Sequence, residues 1–262
     1  FFVLSGFLIT TLLYEEWEGT GKLSFKRFYE RRARRLLPAL VLVVAAFALV
    51  YVVFNPFEGW PLGRRVATTL LFVNNWVAGL GHQNDLGVLN PTWSLAQEEQ
   101  FYLLWPLVLW IMLRIRMPPV AVLGVLVVAI VGLVQAVPHV EHAVPAYSDY
   151  YSPLDRAAEL FLGCAAAVLW RYRLIPRALH WRATGWLLAG GFAFILFDVD
   201  LPTRWTYLGA VLVAVPLMLS LLGSTGLLAR LISSPPLRYL GKISYGLYLC
   251  NLLINNLLMH YL

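Results

Sequence analysis

Apolar residues fall in eight runs, at about 38–54, 66–80, 93–113, 118–137, 155–170, 183–199, 205–222 and 241–262, and a shorter run opens the chain as FFVLSGFLIT. No other feature constrains the fold as much. A helix takes roughly 20 apolar residues to cross a bilayer, and it must satisfy its own backbone hydrogen bonds there. Between the runs stand the expected breakers: Asn55-Pro56, Gly79 and Gly81, Pro118-Pro119, Pro138, Pro176, Pro202 and Pro235-Pro236. Composition agrees, with 60% hydrophobic and 13% charged residues, where soluble domains carry about 25% charged. The pattern predicts an all-α, polytopic transmembrane helical bundle. Residues 1–262 read as a single domain, with no internal repeat and no soluble module.

The opening run ends at Tyr14-Glu15-Glu16 and is too short to cross. It lacks the basic segment and the small-residue cleavage site of a signal peptide. It reads instead as the remainder of a membrane helix.

Charge placement predicts topology. Seven of the 20 Lys and Arg lie in the first loop: Lys22, Lys26, Arg27, Arg31, Arg32, Arg34 and Arg35. Cytoplasmic loops concentrate such charges. If 66–80 crosses fully, the later basic groups fall outside. If it dips in and returns, or lies at the interface, then 16 of the 20 fall inside, leaving Arg64, Arg65, Arg156 and Arg204 outside. The second layout is predicted, with about eight crossings plus a re-entrant or interfacial segment near 66–80. Asn74 and Asn75 within that run suit a segment buried against protein. The protein is expected in the cell inner (plasma) membrane as a multi-pass protein in contact with membrane lipid. Its net charge of +6 then belongs to loops, and no nucleic-acid partner is implied.

Two segments carry chemistry. In FYERRARRLLPAL, residues 28–40, one reading is a basic anchor that snorkels to lipid headgroups. The other is an anion site: Arg31 and Arg35 share a helical face, with Arg32 beside them, and guanidinium groups bind phosphate in bidentate fashion. In NPTWSLAQEEQFYLLWP, residues 90–106, Ser94 and Gln97 have capping-box spacing, and Glu98 and Glu99 fall early in the helix, where acids complement the macrodipole. Yet Glu98 shares a face with Phe101, Tyr102 and Trp105. A carboxylate among aromatics near the bilayer boundary is costly unless paired, and suits a general base or the group that orients one. Glu99 points about 100° away.

Weaker signals follow. Asp155, Arg156 and Glu159 stand at the start of a helix, where pairing at i, i+3 competes with a cavity-facing role for Arg156. His139 and His142 in HVEH lack a third convincing ligand, so no metal site is expected. Asn251 lies in the last apolar run, with Tyr245 and Tyr248 nearby, and an intramembrane Asn can simply join helices. Cys164 and Cys250 lie in apolar runs and read as small packing residues.

Taken together, FFVLSGFLIT, FYERRARRLLP, WSLAQEEQFYLLWP, SPLDRAAELFLGCAAA and ISYGLYLCNLL resemble, in order and approximate spacing, the membrane acyltransferase 3 family. The resemblance implies an O-acyltransferase that moves an acyl group, commonly acetyl, from cytoplasmic acyl-CoA to a hydroxyl of an extracytoplasmic carbohydrate. Acyl-CoA (acetyl-CoA) is then a co-substrate, and no bound cofactor is implied. By this resemblance Arg31, Arg32 and Arg35 face the CoA phosphates. Glu98, with Trp93, Ser94 and Tyr102, belongs to the acidic motif near the outer active site, and Arg156 matches a basic position at the outer start of its helix. The family's usual catalytic His lies just upstream of the Phe-Phe-Val-Leu-Ser-Gly segment, before this chain begins. A second family His position is occupied by Asn251, which cannot take a proton near neutral pH. The family also continues past Leu262. By this comparison residues 1–262 form a single membrane acyltransferase domain incomplete at both ends, expected to be inactive alone, and a periplasmic partner or fused domain is open. The competing expectations are a membrane transporter or exporter with a re-entrant gate at 66–80, or an inactive relative.

Overall fold

The computed structural model describes residues 1–54, 60–144, 146–147, 150–151, 153–175, 182–197, 203–222 and 226–261. These are helical throughout, without a strand. Long helices are α1 (Phe2–Thr20), α2 (Phe25–Phe54), α6 (Thr92–Arg114), α7 (Pro119–Ala143), α8 (Pro153–Arg171), α9 (Arg182–Phe197), α10 (Thr203–Leu221) and α12 (Pro235–Tyr261). Between α2 and α6 the chain makes short pieces: α3 (Leu62–Leu70), α4 (Asn74–Val77), a π-turn at Ala78–His82, α5 (Gln83–Leu86) and a 3₁₀ turn at Gly87–Leu89. A further short helix, α11 (Leu227–Ile232), precedes α12. Among the described residues, two helical stretches, Phe25–Val53 and Pro119–Ala143, are long and apolar enough to cross a membrane.

α1 and α8 pack more closely than any other pair, for a local reason. A Cβ on Gly6 would collide with the carbonyl oxygen of Leu160, and one on Gly163 with that of Val3. Small residues at a crossing let backbones touch, so dispersion contacts are gained along the whole length. Cys164, buried beside this crossing, points its Sγ at Gly6 O, 3.7 Å away. The two helices run parallel. At one end Phe2 and Tyr150 both pack against Trp93; at the other Tyr14 meets Tyr172, and Glu18 pairs with Arg171. α6 starts at the Trp93 end and α2 starts at the opposite end, where Phe25 packs on Trp110.

The run 66–80 is not one helix. α3, of nine residues, is about 13 Å long and stops at Leu71. Phe72 takes the left-handed conformation, with φ 53°. Its carbonyl accepts a 2.6 Å hydrogen bond from Gln100 Nε2. Asn74 Nδ2 donates to Thr69 and Thr92 hydroxyls, and Asn75 Nδ2 to Gln97 and Gln100. Both asparagines are fully buried. This amide network ties the broken segment to the first turns of α6.

Several expected boundaries shift. α2 starts at Phe25, thirteen residues before the apolar run, so the basic cluster is helical and Pro38 lies inside the helix. α7 runs through Pro138 to Ala143; the proline removes one late hydrogen bond without ending the helix. The capping box at Ser94 is absent. α6 begins at Thr92, Ser94 Oγ donates to Pro91 O, and Glu98 and Glu99 lie beyond the first turn, where the macrodipole has faded.

Apolar side chains fill the core and also cover part of the exterior, while several polar ones are buried. Leu4, Leu8 and Leu12 on α1, Leu103, Leu104 and Leu107 on α6, and Val120, Val127 and Val128 on α7 are exposed, while Ser5, Thr10, Asn74, Asn75, Gln97, Glu98, Arg156 and Glu159 are buried.

The α1–α8 crossing predicts that Gly6→Val and Gly163→Val each lower the thermal midpoint of the purified protein, since overpacking against backbone costs about 1–3 kcal/mol or more. Gly124→Ala, where an added Cβ meets nothing within 4 Å, serves as the control. It is expected to be neutral or to stabilise by roughly 0.5–1 kcal/mol. Unchanged midpoints for both valine variants would contradict the packing.

Candidate functional site

One face of α6 presents Ser94, Glu98 and Tyr102 at i, i+4 and i+8, and all three are buried. The Glu98 carboxylate is held at one oxygen, Oε1. Ser5 Oγ on α1 donates to it, and Tyr102 Oη donates at 3.0 Å. Among the described residues Oε2 has no protein donor. Glu98 also lines a small open cleft of ≈ 200 Å³, with Phe1, Ser94, Leu95, Tyr245 and Tyr248 as the other walls. Across it, Ser94 Oγ and Tyr248 Oη lie 2.6 Å apart, and Tyr248 Oη donates to Pro91 O at 2.6 Å. A carboxylate oriented by two hydroxyls at the wall of a cleft can accept a proton or balance the charge of an adjacent base.

The basic segment approaches this cluster from α2. Arg32 Nε lies 2.8 and 3.1 Å from the two Glu99 oxygens, and Nη2 lies 2.7 Å from Oε1. Its guanidinium carbon sits 3.3 Å from the centroid of the Tyr102 ring. Tyr29 Oη, one turn earlier, donates to Leu103 O at 2.9 Å. Arg31 turns away and lies 3.9 Å from Glu16 on α1. Arg31 and Arg35 are both exposed.

A second buried cluster stands at the starts of α6 and α8. Arg156 pairs with Glu159, and its Nε and Nη2 donate to Tyr150 O at 3.2 and 2.9 Å. Its guanidinium lies 6.0 Å from the Trp93 ring. Trp93 packs on Phe2, Tyr150 and Tyr151, with ring centroids 5.3–5.8 Å away. The i, i+3 pairing foreseen for Arg156 is therefore present, and the same side chain also approaches Trp93.

Of the residues singled out from sequence, Glu98, Tyr102 and Arg32 come together, Ser94 shares the cleft, and Trp93 and Arg156 form the neighbouring cluster. Arg31 and Arg35 stay apart on the surface. Asn251 lies on the path of α12, but its side chain and that of Cys250 are outside the described residues. His139 Nδ1 lies 2.9 Å from Gln135 O, and among the described residues no three His, Cys, Asp or Glu side chains converge as metal ligands.

Three participants were not legible beforehand. Ser5 stands in the opening run without any sign of a polar partner, and Glu99 reads as a helix-start acid; each meets its partner on a helix distant in sequence. Tyr248 was noted beside Asn251, with no sign that it reaches Ser94. Gln97 and Gln100, at i, i+3 and opposite the buried Asn74-Asn75 pair, carried a usable signal: polar amides in two apolar runs satisfy one another.

The described geometry matches no solved structure. The sequence comparisons are more informative. The family model described as an acyltransferase domain matches residues 1–262. The peptidoglycan O-acetyltransferase OatA of Listeria monocytogenes is 32% identical over 268 residues, covering 95% of this chain and 43% of that protein. The O-acetyltransferase OatA of Staphylococcus aureus is 30% identical, covering 95% and 44%. The putative peptidoglycan O-acetyltransferase YrhL of Bacillus subtilis is 31% identical, covering 95% and 42%. The chain thus spans less than half the length of these curated relatives. With the whole of residues 1–262 matched by the family model, the chain belongs to the acyltransferase 3 family and is an acyltransferase domain.

Proposed function

We propose that this domain is the membrane part of an O-acyltransferase that moves an acetyl group from cytoplasmic acetyl-CoA to a hydroxyl of a cell-wall carbohydrate, of the peptidoglycan kind named for its relatives. The observation that carries this reading is the buried Glu98, held by Ser5 and Tyr102 at the wall of the cleft, in a chain of this family. In the transfer the thioester C–S bond breaks and an ester C–O bond forms. The acceptor hydroxyl gives up its proton to a base, and the CoA sulfur leaves as thiolate and is protonated. Glu98 orients and charge-balances that base, or takes the proton itself. Trp93, Ser94 and Arg156 line the acceptor side.

The exposed guanidinium groups of Arg31 and Arg35 are the donor-binding elements, since they lie at the surface where phosphates can reach them in bidentate fashion. They stand on the first turns of α2, at the end of the bundle where Arg114, Arg171 and the first loop also lie. That end is the cytoplasmic one, by the excess of positive charge.

In this reading α1, α2, α6, α7, α8, α9, α10 and α12 cross the membrane, and the segment 62–89 is re-entrant. The outward leucines and valines of α1, α6 and α7 support it, because lipid replaces the apolar core that a soluble bundle would need. So does the amide network, which satisfies the broken segment against α6.

Three outcomes are expected of the full-length protein. Glu98→Gln abolishes acetyl transfer to peptidoglycan fragments while membrane insertion stays intact; retained activity would remove Glu98 from the mechanism. Arg31→Ala and Arg35→Ala raise KM for acetyl-CoA, each by about tenfold, the value of one lost charge-assisted contact of about 1.4 kcal/mol; unchanged KM in both would place the donor elsewhere. A cysteine replacing Arg116 is labelled by an impermeant thiol reagent only from the cytoplasmic side, and one replacing Tyr150 only from outside. Labelling of both from one side would overturn the crossing pattern.

A further inference from the structure

Arg32 stands in the middle of the basic segment, yet it behaves unlike its neighbours. Arg31 and Arg35 are exposed, whereas the Arg32 side chain is only 20% exposed, between α2 and α6. Nε and Nη2 both engage the Glu99 carboxylate, at 2.8 and 2.7 Å. The guanidinium carbon lies over the Tyr102 ring, 3.3 Å from its centre. A guanidinium clamped in its plane by a carboxylate and stacked on a ring has little freedom left. The ring beneath it belongs to the tyrosine whose hydroxyl donates to Glu98 Oε1 at 3.0 Å. The acidic pair Glu98-Glu99 thus meets one half-buried cation, held beside the Tyr102 ring.

Depth makes the same point. α2 begins near Trp110, late in α6, and the two helices run antiparallel. Arg32 is seven residues along α2, and Glu99 is seven residues from the start of α6. Each therefore lies about 10 Å inside the end of its own helix. A charge held between two helices there is expected to be paired.

We propose that Arg32, clamped by Glu99 and stacked on Tyr102, is a positioning residue of the Glu98 site and not a ligand of the donor phosphates. This role rests on the acyltransferase reading above. Arg32 fixes the Tyr102 ring, so that the hydroxyl stays aimed at Glu98, and it supplies the positive charge that lets Glu99 stand next to the buried Glu98.

The test is steady-state transfer by the full-length protein in liposomes, with acetyl-CoA as donor and peptidoglycan fragments as acceptor. Arg32→Ala should lower kcat about 100-fold, the scale of a loss of alignment, with KM for acetyl-CoA changed by no more than about twofold. Glu99→Ala should give the same pattern. The double variant should lose no more than Arg32→Ala alone, as residues acting as one unit do. Arg32→Lys keeps the charge but neither the bidentate clamp nor the stacking. It should fold, as judged by an unchanged thermal midpoint, and still lose most of kcat; it carries the test if Arg32→Ala does not fold. A raised KM with kcat intact, full kcat in Arg32→Lys, or additive losses in the double variant would each overturn the role. Failure of the wild-type protein to transfer acetyl under these conditions would overturn the acyltransferase reading, and this role with it.

Discussion

The backbone contact between α1 and α8 at Gly6 and Gly163 is the constraint on which the rest of the arrangement depends. It brings two helices, more than 150 residues apart in sequence, within backbone contact. Once α1 is seated there, its neighbouring positions are aimed at α6. Phe2 meets Trp93, Ser5 meets Glu98, and Thr10 accepts from the Trp105 indole at 2.8 Å. A single helix face thus serves packing and polar chemistry at once, with the glycine setting the distance and the hydroxyls using it.

Around that crossing the protein is organised by polar satisfaction inside an apolar exterior. The amides of Asn74, Asn75, Gln97 and Gln100 tie a broken segment to a continuous helix. The left-handed turn at Phe72 is held by a hydrogen bond from Gln100 to its carbonyl. Non-helical backbone survives at depth only where other groups meet its donors and acceptors. The same Gln100 accepts from the Trp76 indole at 3.3 Å, so one side chain serves the turn, the asparagine and the tryptophan.

The cluster around Glu98 draws on three helices. α1 supplies a hydroxyl, α6 supplies two carboxylates and a phenol, and α2 supplies a guanidinium. Opposite charges within one buried cluster lower the desolvation cost that either would carry alone. The consequence for mechanism is that the basic segment divides. Arg31 and Arg35 are exposed, and the inward Arg32 meets Glu99 and Tyr102.

The helical class, the positions of most long helices and the shared face of Glu98 and Tyr102 were legible in the sequence. They follow from local quantities: the length of an apolar run, the 3.6-residue period and the cost of a carboxylate among aromatics. The interruption of 66–80 was legible too, from its shortness and its paired asparagines. Helix ends were less so. Pro138 sits within α7 and the basic cluster lies within α2, because tertiary packing and late position outweigh local breakers. What only the tertiary structure decided is which polar groups meet. Ser5 with Glu98, Arg32 with Glu99 and Ser94 with Tyr248 are pairings across 93, 67 and 154 residues. No periodicity along one helix specifies them, since they depend on the crossing distance and rotation of helices that only packing sets.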